Sequence, residues 1–195
     1  MISIQSSELA RVLRNGVLFA HSEKIPRPPI EQIRVEAEKD GLYLQSTDSY
    51  ALIRERVPCD VGTEDVGRLG FIPTADIRPM LAMLKADKGP ALIDMADTLT
   101  IKVAFTGATF ECRDTGAFPN VDQLVNGLTF GGIKESATLG LGLWQLARLG
   151  KVETAQWKRT DRTVAARFEI IDQTRPVRVS IGPDIVIYVM PARLT

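Results

Sequence analysis

The sequence predicts an α+β fold made of three copies of one unit, in which a strand and a helix precede three further strands. Three segments have the apolar period of a helix, and they begin near Ser7, Thr74 and Gly142, roughly 67 residues apart. A strand-like run precedes each helix, and three segments of alternating apolar and polar residues follow it. At 195 residues the chain is long enough to enclose a sizeable core.

The first unit contains a helix that follows Ser6 and Ser7, whose hydroxyl groups are suited to cap its first turn. The helix is amphipathic: its apolar face contains Leu9, Val12, Leu13, Gly16 and Val17, and its polar face contains Arg11, Arg14 and Asn15. Strands are predicted over 1–5, 31–38, 41–46 and 51–57.

The second unit contains a helix that opens at Thr74 and ends at Gly89-Pro90. Pro79 requires either a later start or a kinked first turn. The inward residues are Ile77, Met80, Leu81 and Leu84, and the outward ones are Arg78, Lys85 and Lys88. Strands are predicted over 69–73, 91–95, 98–105 and 109–113.

The third unit contains a helix from about Gly142, with no strong capping residue before it. Its apolar residues are Leu143, Leu146 and Ala147, and we expect Gln145, Arg148 and Lys151 on the opposite, outer face. Strands are predicted over 137–141, 164–171, 176–181 and 185–190.

The composition argues against catalysis and against a membrane protein. His21 is the one histidine, and Cys59 and Cys112 have no metal-ligand spacing with it or with each other. The sequence has no phosphate-binding glycine loop, no apolar run of spanning length and no signal peptide at its start. We therefore expect a cytoplasmic protein that is not an enzyme and that needs no cofactor and no metal.

The charge balance limits how the chain could bind nucleic acid. It has 24 Lys and Arg against 24 Asp and Glu, so bulk positive charge cannot supply the attraction. Basic residues would have to gather on one surface, and the outer faces of the three helices offer such a set. A solvated helix face is the ordinary interpretation of the same spacing.

Three short segments resemble those of a known family. Residues 46–52, Ser-Thr-Asp-Ser-Tyr-Ala-Leu, are similar to an Ala/Gly-Thr-Asp-Gly-His-Arg-Leu turn, and residues 116–121, Gly-Ala-Phe-Pro-Asn-Val, to a Gly-x-Phe-Pro-Asp-Tyr closure. Residues 188–194, Tyr-Val-Met-Pro-Ala-Arg-Leu, are similar to a Val-Met-Pro-Met-Arg-Leu ending. This order of motifs on a repeated unit resembles the bacterial DNA polymerase III β subunit, the sliding clamp, and a compact phage-encoded clamp would fit.

The resemblance implies a DNA-clamp fold that acts without covalent chemistry. Sheets would form the outside of a closed ring, and helices would line a bore that holds double-stranded DNA without regard to its sequence. On this interpretation the bore-facing candidates are Arg11, Arg14, Arg78, Lys85, Lys88, Arg148 and Lys151.

The resemblance also implies a pocket for short peptides of DNA polymerase and clamp loader, between the 46–52 turn and the C-terminal strand. The positions that match it are Thr47, Tyr50, Leu52, Val189, Met190, Pro191, Arg193 and Leu194. A Met-Pro terminus gives such a pocket an adaptable apolar wall.

The resemblance implies one complete clamp domain over 1–125 and half a domain over 126–195. Three units in one chain cannot encircle DNA, so a homo-oligomer is required. Clamp rings of this family contain twelve such units; four chains would supply twelve, and a trimer or a dimer of different geometry stays open.

Two other interpretations remain. A clamp-like module could bind clamp-interacting peptides without encircling DNA, and so regulate or compete with a host clamp. An α+β enzyme with an incidental resemblance would need a nucleophile beside a base, for which the sequence offers no candidate.

Overall fold

A computed structural model describes residues 1–22, 25–104, 106–113, 116–130, 139–155 and 164–192. A short 3-10 turn at Pro28–Ile30 precedes the second strand. The elements in chain order are β1 (Ile2–Gln5), α1 (Ser6–Phe19), β2 (Gln32–Glu38), β3 (Gly41–Thr47), β4 (Ala51–Val57), β5 (Leu69–Pro73), α2 (Thr74–Ala86), β6 (Pro90–Asp94), β7 (Leu99–Val103), β8 (Ala108–Cys112), α3 (Val121–Asn126), α4 (Leu143–Leu149), β9 (Ala166–Glu169), β10 (Val177–Ile181) and β11 (Ile185–Val189).

We call β1–α1–β2–β3–β4 unit 1, β5–α2–β6–β7–β8 unit 2, and α4–β9–β10–β11 unit 3. Units 1 and 2 exchange their first strands. β1 joins the sheet of unit 2 in the order β1-β6-β7-β8, and β5 lies at the edge of the unit 1 strands. Both exchanged strands pair antiparallel with their new neighbour, β1 with β6 and β5 with β2. The predicted strand–helix–strands repeat is therefore present in these two units, and each of them completes the other.

Alternation along the strands builds the core between these sheets and their helices. Ile33, Val35 and Ala37 of β2 are buried, and the helices α1 and α2 pack against one another over the same core. Gly16 allows α1 to approach the sheet, because a Cβ there would lie 2.4 Å from Cδ1 of Ile33. Gly41, at the tight turn between β2 and β3, has a φ of +144° that favours glycine.

Unit 3 extends the larger sheet. Its strands continue the order β5-β2-β3-β4-β11-β10-β9, so β11 pairs antiparallel with β4 of unit 1. We call this β4–β11 contact the joint. A second apolar cluster fills its helix side, where Phe19 of α1 meets Ile53 of β4 and Ile187 of β11. The joint therefore brings unit 3 against unit 1.

The structure corrects several local predictions. Ser6 and Ser7 lie inside α1 rather than capping it, and no side chain caps this helix. α2 begins at Thr74 as predicted, with Pro79 inside it, but it ends at Ala86 rather than at Gly89-Pro90. Within the described part of the 137–141 segment, Gly140 forms only an isolated bridge with Ala192. The helix α3 was not predicted at all, and it spans the proposed domain boundary at residue 125.

The predicted faces of two helices are also wrong. Arg11 and Asn15 of α1 are buried rather than exposed, because the segment after α4 packs against that face. In α4 the polar Gln145 is buried, whereas Leu143, Leu146 and Ala147 are exposed. Leu143, Leu146 and Ala147 therefore face away from the rest of the described chain, whereas Leu149 packs against the second apolar cluster.

Candidate partner-binding groove and DNA-facing helices

The register of the joint decides which side chains share a face. Leu52 lies opposite Tyr188, and Ala51 opposite Val189. Successive residues of a strand point to opposite faces, so Leu52 and Tyr188 lie on one side of the sheet and Val189 on the other. Val189 is fully buried in the cluster around Phe19, on the side where the helices pack.

The segment that links units 2 and 3 covers the outer face of the joint. α3 and its neighbours place apolar side chains against Leu52 and Tyr188, and the ring of Phe130 lies 6.3 Å from that of Tyr188. We call this group the outer cluster; its members are Leu52, Phe118, Val121, Val125, Leu128, Phe130, Val186 and Tyr188. Five of these side chains are only partly buried, so this face of the joint presents an apolar surface.

The turn between β3 and β4 is held by its own side chains. Oγ1 of Thr47 donates to the carbonyl of Ala51 at 2.7 Å and accepts from the amide of Ser49 at 3.1 Å. The carboxylate of Asp48 accepts from the amides of Tyr50 and Ala51, each at 2.9 Å. Ser49 has a φ of +77°, the left-handed conformation in which the family turn has glycine.

An ion pair fastens this turn to unit 3. Arg148 of α4 donates to Oδ2 of Asp48, through Nη1 at 2.8 Å and through Nη2 as well. The guanidinium also lies over the rings of Phe19 and Trp144, at 4.8 and 4.6 Å from their centroids. Burial lowers the pKa of Arg148, although Asp48 acts in the opposite direction. Arg148 therefore joins α1, α4 and the turn rather than facing solvent.

Exposed apolar side chains surround the end of the joint. Tyr50 and Trp144 meet edge to face with their ring centroids 6.2 Å apart, and both are exposed. Met190 is 39% exposed, and its amide donates to the carbonyl of Tyr50 at 2.9 Å. Pro191 follows and is half-buried. The rim is thus apolar, and backbone hydrogen bonds fix it in place.

The structure brings four of the eight expected pocket residues together. Tyr50, Leu52, Met190 and Pro191 lie at the joint, whereas Thr47 is buried and organises the turn. Val189 is directed into the core on the opposite face, and Arg193 and Leu194 lie outside the described residues.

Sequence reasoning missed Tyr188 and the residues of the linking segment. The period of two along β11 could have placed Tyr188 rather than Val189 beside Leu52. The linking residues were also recoverable in part, since Val121, Val125 and Leu128 have helical spacing directly after the Phe-Pro motif.

A buried polar network occupies the other end of the joint. Arg11 is paired with Glu8 and with Glu55, and Nδ2 of Asn15 donates to Glu55 at 2.9 Å and to the carbonyl of Glu153 at 2.7 Å. Burial raises the pKa of Glu55, while the charge of Arg11 and the hydrogen bond from Asn15 act against this. The network ties α1 to unit 3 and leaves Arg11 unable to meet phosphate.

The other basic candidates divide by exposure. Arg14 is partly exposed and pairs with Glu153 at 2.8 Å. Arg78, Lys85, Lys88 and Lys151 are exposed and, over the part of the chain that the structure describes, form no ion pair. Arg78 and Lys85 are seven residues apart on α2 and so share one helix face. Among these candidates, the exposed and unpaired positive charge is therefore mainly on α2 and just beyond its C-terminal end.

The described residues form neither a membrane-spanning helix nor a metal site. Among the described residues, no helix combines the length and apolar character needed to cross a membrane. In the same ranges, no three His, Cys, Asp or Glu side chains converge as a metal site would require.

Exchanged β-α-β-β-β units whose sheets join edge to edge define the DNA-clamp fold. Comparison with solved structures shows that the chain has the fold of DNA polymerase III β sliding clamps. The β subunit of Thermotoga maritima matches with a TM-score of 0.75 at 12% identity, over 99% of this chain and 65% of that one. A ligand-bound sliding clamp of Pseudomonas aeruginosa matches with a TM-score of 0.72 at 17% identity, over 98% and 66%. The Bacillus subtilis clamp matches with a TM-score of 0.68 at 14% identity, over 100% and 64%.

This chain thus spans about two thirds of the length of the clamps it matches. No family model matches the sequence, and no curated protein sequence matches it. The likeness is therefore one of fold, preserved at low sequence identity.

Proposed function

We propose that this chain is a DNA sliding clamp that assembles into a ring around duplex DNA and tethers DNA polymerase and clamp loader through a peptide groove. The supporting observation is the joint. It brings the 46–52 turn, β11 and the linking segment to one apolar cluster, although they lie far apart in the sequence, and we propose that the peptide binds in a groove beside this cluster. The proposed mechanism is binding and confinement, without a covalent step.

The groove is suited to an extended apolar peptide. The outer cluster supplies its floor, and Tyr50, Met190 and Pro191 supply a rim on which side chains of a peptide can pack. A flexible Met at such a rim adjusts to different side chains, so several related peptides can share the groove.

Replacing Met190 by Gln tests the groove. The probe is a fluorescein-labelled peptide with the clamp-binding segment of a bacterial replicative DNA polymerase, followed by fluorescence anisotropy. We expect the Kd to rise about tenfold, since a polar amide replaces apolar contact worth roughly 1.4 kcal/mol.

The matched control is Met83→Gln on α2, because Met83 is 42% exposed and Met190 39% exposed. Equal affinities of the two variants would contradict the groove assignment.

The exposed basic residues of α2 are suited to phosphate contacts. A ring retains its DNA by topology, so each contact can be weak and can exchange while the ring slides. Arg78 and Lys85 are the best placed, since they share one face and no described carboxylate pairs with them.

The double variant Arg78→Glu/Lys85→Glu tests this face. Its control is Lys39→Glu/Lys102→Glu, which changes the net charge equally at exposed positions in the β2–β3 turn and on the outer face of β7. Retention on nicked circular DNA is measured by gel filtration at two salt concentrations. We expect the α2 variant to lose retention and the control to keep it; the opposite result would exclude α2 from the DNA-facing surface.

A clamp-like module that only binds peptides would behave differently. It would bind the labelled peptide with the same Met190 dependence, but it would be retained equally poorly on circular and linear DNA. The two assays together therefore separate tethering from encirclement.

A further inference from the structure

The outer surface of α4 is apolar, and the rest of the described chain leaves it uncovered. Leu143 is 83% exposed, whereas Gln145, two residues further on, is 5% exposed. Leu143, Leu146, Ala147 and Gly150 are spaced three or four residues apart and form one stripe, which we call the α4 stripe. The stripe carries no charge, and an exposed apolar helix face of this kind indicates a partner.

Units 1 and 2 show how a unit of this fold covers such a face. They exchange their first strands, and α1 packs against α2 over the shared core. α2 buries Ile77, Met80 and Leu84 in this way, whereas the one buried residue of α4 is the polar Gln145. Unit 3 has no such companion: among the described residues β9 is an edge strand, and no helix packs beside α4.

No segment between units 2 and 3 can supply the missing companion. α3 ends at Asn126 and α4 begins at Leu143, whereas a unit takes about 67 residues. The same surface on a second copy of this chain is self-complementary. A two-fold axis would bring one stripe against the other without placing like charges opposite each other, and Ala147 and Gly150 are small enough to let the helices approach closely.

We propose that unit 3 of this chain pairs with unit 3 of a second copy, α4 against α4, and that the two half domains complete one clamp domain. This interface would be one of the contacts that assemble the proposed ring. Its place in a ring rests on the proposed function, whereas the pairing of α4 with α4 does not.

A second open edge could provide the other contact of the ring. The joint unites the last strands of two units, β4 and β11, in antiparallel fashion. β8 is the last strand of unit 2, and in the described structure it pairs only with β7. If the last strands of two units pair here as β4 and β11 do, β8 pairs antiparallel with β8 of another copy. Each chain then has two self-complementary contacts, and alternating them gives a ring with an even number of chains; four chains supply the twelve units of a clamp ring.

Light scattering coupled to gel filtration tests the assembly without DNA or peptide. Four chains of 21.5 kDa give about 86 kDa for the wild type. The variant Leu143→Glu/Leu146→Glu should halve this mass, because charges on the stripe would repel across the two-fold axis. The control Ile25→Glu/Leu69→Glu, at two other exposed apolar positions, should leave the mass unchanged.

A variant of the second contact completes the test. Thr109→Lys/Glu111→Lys adds charge to the edge of β8, which should leave dimers joined through unit 3; combining both pairs of substitutions should leave monomers. Circular dichroism confirms that each variant is folded.

A wild type that is monomeric across a micromolar series, or a stripe variant of unchanged mass, would overturn the proposal. A wild-type dimer that the stripe variant converts to monomers would support the unit 3 contact and refute the β8 contact. Loss of the Met190 effect on peptide binding would refute the groove and leave these masses unaltered.

Discussion

Replacing Arg148 by Met should destabilise the chain more than any single exposed substitution. The side chains of Arg148 and Asp48 are 10% and 13% exposed, so their ion pair is largely removed from water. Removing one partner of such a pair leaves the other charge buried without compensation, at a cost of about 3–5 kcal/mol. The Met side chain keeps most of the packing volume, so the loss reflects the charge.

The contacts around Asp48 place the effect at the lower end of this range. Its carboxylate still accepts hydrogen bonds from the amides of Tyr50 and Ala51. The guanidinium contacts with Phe19 and Trp144 are lost as well, and stacked cations of this kind contribute about 0.5–1 kcal/mol. We therefore expect a decrease of about 3 kcal/mol in the free energy of unfolding.

Urea unfolding followed by circular dichroism, at equal protomer concentration and pH 7, measures the difference. With an m-value of about 2 kcal/mol/M, the midpoint should fall by about 1.5 M urea. The control is Arg175→Met, whose pair with Asp172 lies in solvent and should contribute about 1 kcal/mol or less. A midpoint for Arg148→Met no lower than that of the control would refute the role of this ion pair.

Two further predictions concern packing and thiol chemistry. Gly16→Ala should reduce the free energy of unfolding by about 1–3 kcal/mol, because the added Cβ would lie 2.4 Å from Cδ1 of Ile33. The control Gly89→Ala should reduce it less, because its Cβ would meet only a side-chain oxygen at 3.3 Å. Equal urea midpoints of the two variants would contradict the close packing of Gly16. Burial raises the pKa of the Cys112 thiol to about 12, so iodoacetamide at pH 8 should leave Cys112 unlabelled until the protein is unfolded in urea. Peptide mass spectrometry measures this, and rapid labelling of Cys112 in the folded protein would be inconsistent with its burial.

Local sequence patterns predicted the strands well. The alternation of apolar and polar residues predicts the bounds of β3 and β4 to within one residue, because a strand with one buried face has a sequence period of two. The exchange of β1 and β5 leaves no such pattern. An exchanged strand alternates as an unexchanged one does, and only its partner differs.

The helices show the limit of the same reasoning. An amphipathic pattern identifies an apolar face but does not identify what covers it. Arg11 lies on the polar side of α1, yet it is buried there by its pair with Glu55 of β4 and by the segment after α4, whose Glu153 carbonyl accepts its hydrogen bond. In α4 the apolar side was assigned to the chain's own core, whereas the structure turns Gln145 inward.

The sequence predicts where the candidate site lies, but not which side chains contact one another there. The turn and the C-terminal strand were expected to meet, and they do so at the joint. Which residues share a face depends on the register between β4 and β11. That register places Leu52 opposite Tyr188, and the sequence alone does not reveal it. The pairing of β4 with β11 spans more than 130 residues of chain, and no local signal encodes it.

The proposed groove and the proposed contacts between copies use different surfaces of the chain, so separate variants can test them. The residues of the proposed groove belong to β4, β11 and α3 of one chain, so they come together before any copy associates. In the proposed tetramer, the two-fold axes through the contacts reverse the direction of neighbouring chains, so each face of the ring carries two grooves. The Leu143→Glu/Leu146→Glu variant should therefore bind the labelled peptide at one site per chain with wild-type affinity and lose retention on circular DNA. If affinity fell together with retention, the groove would have to extend across the contact between copies.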